Sequence, residues 1–243
     1  GAIAGVSHLR YDGYRDHSRT TGTRLNAKVT NRVTESADLT LVTNLIDLPR
    51  QDDPGGLTLA EARENPQQAR ERNLLFDAGE EVEQQRIGLL WEQDAGTDRT
   101  FVARSYYTHR DFSNRLPFLD GGQVAFERHF AGGGILYDAA FERFGFQAGA
   151  DLDFQRDHRY NYDNLFGTRG PVTLNQIEEV CAFGTFGRIE WPISEQWTLE
   201  GALRFDVVGF DVEDRFLADG DDSGSRTFEE LSPSLGVSWN PNP

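Results

Sequence analysis

A chain of 243 residues with 40 acidic and 24 basic side chains, a net charge of −16, has room for one large all-β domain or two small ones, and its acidity excludes nucleic-acid binding through the phosphates. Charged residues make up 26% of it, and no apolar run approaches the ~20 residues of a spanning helix; this excludes a helical membrane protein but not a membrane barrel, whose strands alternate. One cysteine, Cys181, excludes an internal disulfide and reads as a small packing residue, and there is no methionine or visible signal peptide, so the chain is expected to be processed or excised from a longer one.

In chain order, residues 1–12 read as a first strand and Asp12–Ser18 as a polar loop. A second strand is expected over 23–32, with Leu25, Ala27 and Val29 on one face and Arg24, Asn26 and Lys28 on the other. After a turn at 34–38, a third strand runs from Leu39 to Leu48, and an insertion follows from Pro49 to Gly79. Thr58 and Glu61 have capping-box spacing there, which predicts a short helix over Leu59–Glu64 that Pro66 interrupts. Further strands are expected over 82–92, 99–111 and 123–141, with a loop at 113–122 and a bulge or bend at Gly132-Gly133-Gly134. Residues 146–155 alternate most cleanly, and 158–175, rich in Tyr, Asn and Arg, read as a loop.

The segment 186–210 reads as two amphipathic strands about a turn at Pro192–Gln196. Trp197, Leu199, Leu203, Phe205 and Val207 share one parity, and Glu200, Arg204 and Asp206 the other. A soluble sheet would bury the apolar face under a second layer; a membrane barrel would turn it to lipid. An acidic loop over 211–226, a tenth strand over 228–239 and a closing turn at Asn240–Pro243 complete the chain. Connections alternate long and short, which in a meander gathers the long loops at one end. Trp91, Trp191, Trp197 and Trp239 all lie beside short connections, as an aromatic girdle requires and a soluble sandwich does not. The expected fold is an all-β, antiparallel up-and-down meander of about ten strands, part of a transmembrane β-barrel.

Several stretches resemble the barrel of TonB-dependent outer-membrane receptors of the ferric-siderophore type. They are Gly13-Tyr14-Arg15-Asp16-His17-Ser18 followed by Leu25-Asn26-Ala27-Lys28; Asn44-Leu45-Ile46-Asp47-Leu48-Pro49 with Asp53-Pro54-Gly55-Gly56-Leu57-Thr58 and Asn73-Leu74; and Leu231-Ser232-Pro233-Ser234-Leu235-Gly236-Val237. Their order spans nearly the whole chain. The resemblance implies uptake of a ferric siderophore or similar scarce ligand in the outer membrane of a Gram-negative cell. It also implies contact with outer-membrane lipid and energy from TonB through a plug domain that precedes the barrel. Such barrels have about 22 strands, so 1–243 is expected to be roughly the first half of one, without plug or later strands, and no cofactor is expected.

Arg159, Tyr160 and Tyr162, at the start of an expected external loop, are the candidate contacts for an aromatic or anionic chelate. Asp151, Asp153, Glu200 and Asp206 are expected to face a lumen and pair with arginines such as Arg188 and Arg204. A ten-strand outer-membrane protease would need an acid/His group. Asp157-His158 are strand neighbours on opposite faces, His109 and Asp111 share a face, and Asp16-His17 lie in a loop. Asp219, Asp221 and Asp222 lack the spacing of a calcium loop. No phosphate-binding loop, dinucleotide fingerprint or serine-nucleophile elbow is present. The reading from sequence is therefore a receptor segment and not an enzyme, with a soluble β binding module as its rival.

Overall fold

The computed structural model describes residues 1–241; Asn242 and Pro243 of the expected closing turn lie outside the described residues. The ten strands form one antiparallel sheet in which each pairs with the next in sequence. They are β1 (Ala2–Tyr11), β2 (Thr20–Thr34), β3 (Ala37–Asp52), β4 (Gly79–Asp94), β5 (Arg99–Arg115), β6 (Gln123–Ala140), β7 (Gly145–Leu165), β8 (Thr168–Pro192), β9 (Trp197–Asp214) and β10 (Gly224–Trp239). Two short helices, α1 (Leu59–Glu64) and α2 (Glu71–Leu75), lie between β3 and β4. The expected meander is the one that forms.

The register joins one parity into continuous rows around the sheet. Leu41 lies opposite Leu89, then come Ser105, Gly133, Leu152, Phe183 and Val207, each opposite the one before it. The face these rows make is apolar and, among the described residues, has no second layer over it: Leu152 is 55% and Leu203 49% exposed. Trp91, Trp191, Trp197 and Trp239 share this face at the short-turn end, where Trp197 and Trp239 stack with centroids 5.8 Å apart. The covering sheet that the soluble alternative requires is absent among the described residues.

On the opposite face side chains from alternate strands meet. Arg104 of β5 reaches Asp151 of β7 at 2.7 Å, and Tyr106 of β5 donates to Asp153 of β7. Both contacts pass over a glycine of the intervening β6, so the sheet curls toward this face. The bulge or bend expected at Gly132–Gly134 is absent: β6 keeps unbroken register with both neighbours. The glycines are there for space, since a Cβ at Gly132 would run into the Asp153 carboxylate and one at Gly134 into that of Asp151.

The loop expected over 158–175 is also corrected. β7 and β8 continue as a hairpin of 21 and 25 residues, closed by Phe166 and Gly167 at φ 53° and 91°. Two central residues at positive φ make the tight primed turn whose twist matches the flanking strands. The acidic loop shortens to 215–223 and the loop at 113–122 to 116–122.

Helix α1 has the reciprocal capping box expected: Glu61 N–H donates to the Thr58 hydroxyl at 3.3 Å and Thr58 N–H to the Glu61 carboxylate at 2.7 Å. Hydrogen bonding with the Thr58 N–H, and with its hydroxyl, holds the Glu61 carboxyl below its ordinary range. Helix α2 was not foreseen; its N-cap position, Arg70, makes no side-chain cap bond that a sequence pattern could reveal.

Candidate functional site

The inward face carries a ladder of charges along the strands. Arg204 donates to Asp206 at 2.6 Å and lies 3.8 Å from Asp151, which ties β9 to β7 across β8. Arg188 pairs with Glu200 at 2.8 Å. The expected lumenal pairing of Asp151, Glu200 and Asp206 with Arg204 and Arg188 is present, with Arg104 as an added partner; Asp153 is held by the Tyr106 hydroxyl instead.

Nearer the long-loop end the same face turns aromatic and cationic. Phe112 and Phe126 stack at 4.9 Å, and the Arg128 guanidinium lies 4.8 Å above the Phe126 ring. Arg128 also grips Asp157 with two bonds of 2.8 and 2.5 Å, and Asp157 is 2% exposed. Arg110 donates to the Gln84 side chain at 2.9 Å and has no ion-pair partner among the described residues. Sequence reasoning passed over Arg110, Arg128, Phe112 and Phe126; shared parity on paired strands is the signal that could have found them.

Of the three candidate contacts, Arg159 faces inward, 3.3 Å from Glu178, with its Nε buried and without a partner among the described residues. Tyr160 and Tyr162 lie on the other parity of β7 and face outward, with rings stacked at 5.8 Å. All three sit on the extended strand and not in a loop, and alternation keeps the tyrosines apart from the arginine.

Beyond the strands the long connections pack into a small platform with its own core. Phe76 and Ala78 are buried, and the Phe76 ring meets Phe166 of the β7–β8 turn at 5.3 Å. Arg15 donates to the carbonyls of Gln68, Gly55 and Pro54, joining the first loop to the insertion. Asn164, 0% exposed, donates to the carbonyls of Phe76 and Leu116. The platform is thereby fixed to the rim of the sheet.

The acid/His candidates do not assemble into a cleft. Asp157 is sequestered by Arg128, His158 contacts Asn175 at 3.0 Å, and His17 contacts the Ala78 carbonyl at 2.7 Å. His109 lies 3.8 Å from Asp111 and 3.2 Å from Glu127, on the outward face. In the acidic loop Asp221 accepts from Ser223, whose hydroxyl and N–H hold that carboxyl below its ordinary range.

Residues 9–243 match the family described as TonB dependent receptor-like, beta-barrel. The chain belongs to that family. Among solved structures, the ferric citrate transporter FecA in its unliganded form is 17% identical with a TM-score of 0.79, over 99% of this chain and 37% of that one. The siderophore receptor PiuA from Acinetobacter baumannii is 10% identical with a TM-score of 0.74, over 99% and 43%. The ferric yersiniabactin uptake receptor FyuA from Yersinia pestis is 13% identical with a TM-score of 0.70, over 99% and 40%. The TonB-dependent receptor barrel segment thus spans less than half the length of each of these proteins. Its family is one of outer-membrane β-barrel receptors.

Proposed function

We propose that this chain forms part of the wall of an outer-membrane receptor that takes up a ferric siderophore or a similar anionic metal chelate, with transport energised by TonB through a plug domain. The observation that carries the reading is the division of the sheet into two faces. One face is apolar, uncovered and edged with tryptophan, as a lipid-facing wall must be. The other is a charged wall that ends, toward the rim, in Arg110, Arg128 and Arg159 beside Phe112 and Phe126. Arginine guanidinium groups are the donors an anionic chelate needs, and aromatic rings offer a flat surface for the planar part of one. Arg159 is the contact retained for the ligand from the sequence candidates. Tyr160 and Tyr162 serve the lipid-side rim in this reading, since their amphipathic rings suit a headgroup level.

Uptake of radioiron presented as citrate, catecholate and hydroxamate chelates, measured in cells whose only receptor is the full-length protein, tests this. One chelate class should be imported in a TonB-dependent manner, and Arg110→Ala with Arg159→Ala should raise its half-saturation concentration. Import of none of them, or import indifferent to both substitutions, would sink the anionic-chelate assignment.

A further inference from the structure

The outward apolar band stops abruptly at one row of residues. Gln85, His109, His129, Arg156, Glu179 and Asp211 lie side by side there on β4 to β9. Within this row and the next, three side chains converge. His109 Nε2 and His129 Nε2 each lie 3.2 Å from the same oxygen, Oε1 of Glu127. The ligand-type atoms of His109, Glu127 and His129 all fall within 4.8 Å of one another. The sheet dictates this: His109 and His129 are directly opposite on β5 and β6, and Glu127 stands two residues from His129 on the same face.

We propose that His109, Glu127 and His129 form a binding site for a divalent transition metal of zinc-like preference, on the outer surface of the barrel and apart from the lumenal path. Three observations support it. First, two ligands of one tetrahedral ion, each at about 2.0–2.1 Å, stand about 3.3 Å apart, and both nitrogen–oxygen separations here are 3.2 Å. Second, each imidazole has its other nitrogen already held. His109 Nδ1 lies 3.2 Å from Gln85 Oε1, and His129 Nδ1 lies 2.7 Å from the Tyr107 hydroxyl. Orienting partners of this kind fix the tautomer of a metal-bound histidine. Third, both ring nitrogens of His109 face oxygen atoms, Gln85 Oε1 and Glu127 Oε1, and a cation at Nε2 leaves Nδ1–H to donate to Gln85. Asp111, 3.8 Å from His109, adds a second nearby carboxylate.

Two imidazoles and one carboxylate select zinc, copper or nickel over calcium or magnesium. The ligands come from two strands, so a bound ion clips β5 to β6 where the apolar band ends. A position left open on the exposed side accepts water. The site depends on the sheet register alone and stands whether or not the receptor imports a chelate.

Zinc binding to the purified full-length protein in detergent, by equilibrium dialysis against a chromogenic chelator, is the test. Wild type should bind one more zinc per chain than the His109→Ala/His129→Ala double variant, with excess calcium present. Tyr107→Phe, which leaves all three ligands in place, should weaken that zinc by about 10–100-fold. Cobalt substituted for zinc should give the visible bands of a four-coordinate nitrogen–oxygen site in wild type and not in the double variant. Both proteins are first checked for the heat-dependent gel mobility of a folded barrel. Equal zinc stoichiometry in wild type and a folded double variant overturns the proposal, and so does displacement of the zinc by calcium.

Discussion

Asn164 shows how much of the rim depends on one side chain. It is fully buried; its amide nitrogen serves Phe76 O at 3.0 Å and Leu116 O at 2.9 Å, and its oxygen accepts from Gln123 at 3.2 Å and from Gly167 N–H at 2.8 Å. All four capacities of the amide are thus in use, and they join the insertion, the β5–β6 loop and the β7–β8 turn. Removing a partner from a buried polar group costs about 1–3 kcal/mol. Asn164→Ala should therefore lower the local stability of the platform by about that amount, without unpairing the strands. Asn164→Asp should do worse, since it keeps the acceptor but turns a charged oxygen toward two carbonyls. Hydrogen exchange at the Gly167 amide and protease cleavage within 53–78 report this; unchanged protection in both variants would contradict it. Nothing in the sequence around Asn164 marked it, because its four partners come from segments up to 88 residues away.

The elements differ in how legible they were, and the reason is locality. Helix α1 could be read from Thr58 and Glu61 because both halves of a capping box lie within four residues. The upper hairpin of β7 and β8 could not, because its turn is Phe166-Gly167 and not the Asn-Gly or Asp-Gly that announces such a turn. Its polar residues alternate, but alternation without an apolar face resembles a loop. The glycines of β6 were noticed and given the wrong cause, since what they make room for is a contact between the strands on either side, β5 and β7. That cause makes a paired prediction. Gly134 and Gly88 both sit inside strands on the inward face. A Cβ at Gly134 meets the Asp151 carboxylate and, at 3.0 Å, the Ala150 carbonyl, whereas one at Gly88 finds nothing nearer than 3.7 Å. Gly134→Ala should destabilise by about 1–3 kcal/mol through overpacking and loosen the Arg104–Asp151 pair. Gly88→Ala should be close to neutral. Denaturant titration of the two full-length variants in lipid vesicles distinguishes them, and equal midpoints would rule out the close-approach role.

At the scale of the whole molecule the sheet is an amphipathic wall, and its overall pattern was legible because period-two alternation and the placement of tryptophan need no knowledge of pairing. Pairing adds the continuity of the rows, and that continuity makes the two faces physically different media. Leu203 stands midway along the outward row of β9, between Trp197 at one end and Asp211 at the other. An arginine there must cross to a headgroup or lie in hydrocarbon, at a cost of about 2–4 kcal/mol near the bilayer midplane. Ala182 of β8 lies on the inward parity, paired with Asp153 and Val208. An arginine at that position enters a polar wall beside a carboxylate and should change stability far less. Leu203→Arg should therefore lower the yield of assembled, heat-modifiable full-length barrel, and Ala182→Arg should leave it near wild type. In detergent-free aqueous refolding both proteins should fail alike, because the uncovered face then has no apolar solvent. The difference between the two variants must also grow with the thickness of the hydrocarbon the strand crosses, since a thicker core leaves a central arginine a longer reach to water. If the two variants assemble equally well in vesicles of every acyl length, the face bearing Leu203 does not meet lipid and the receptor reading loses its physical basis.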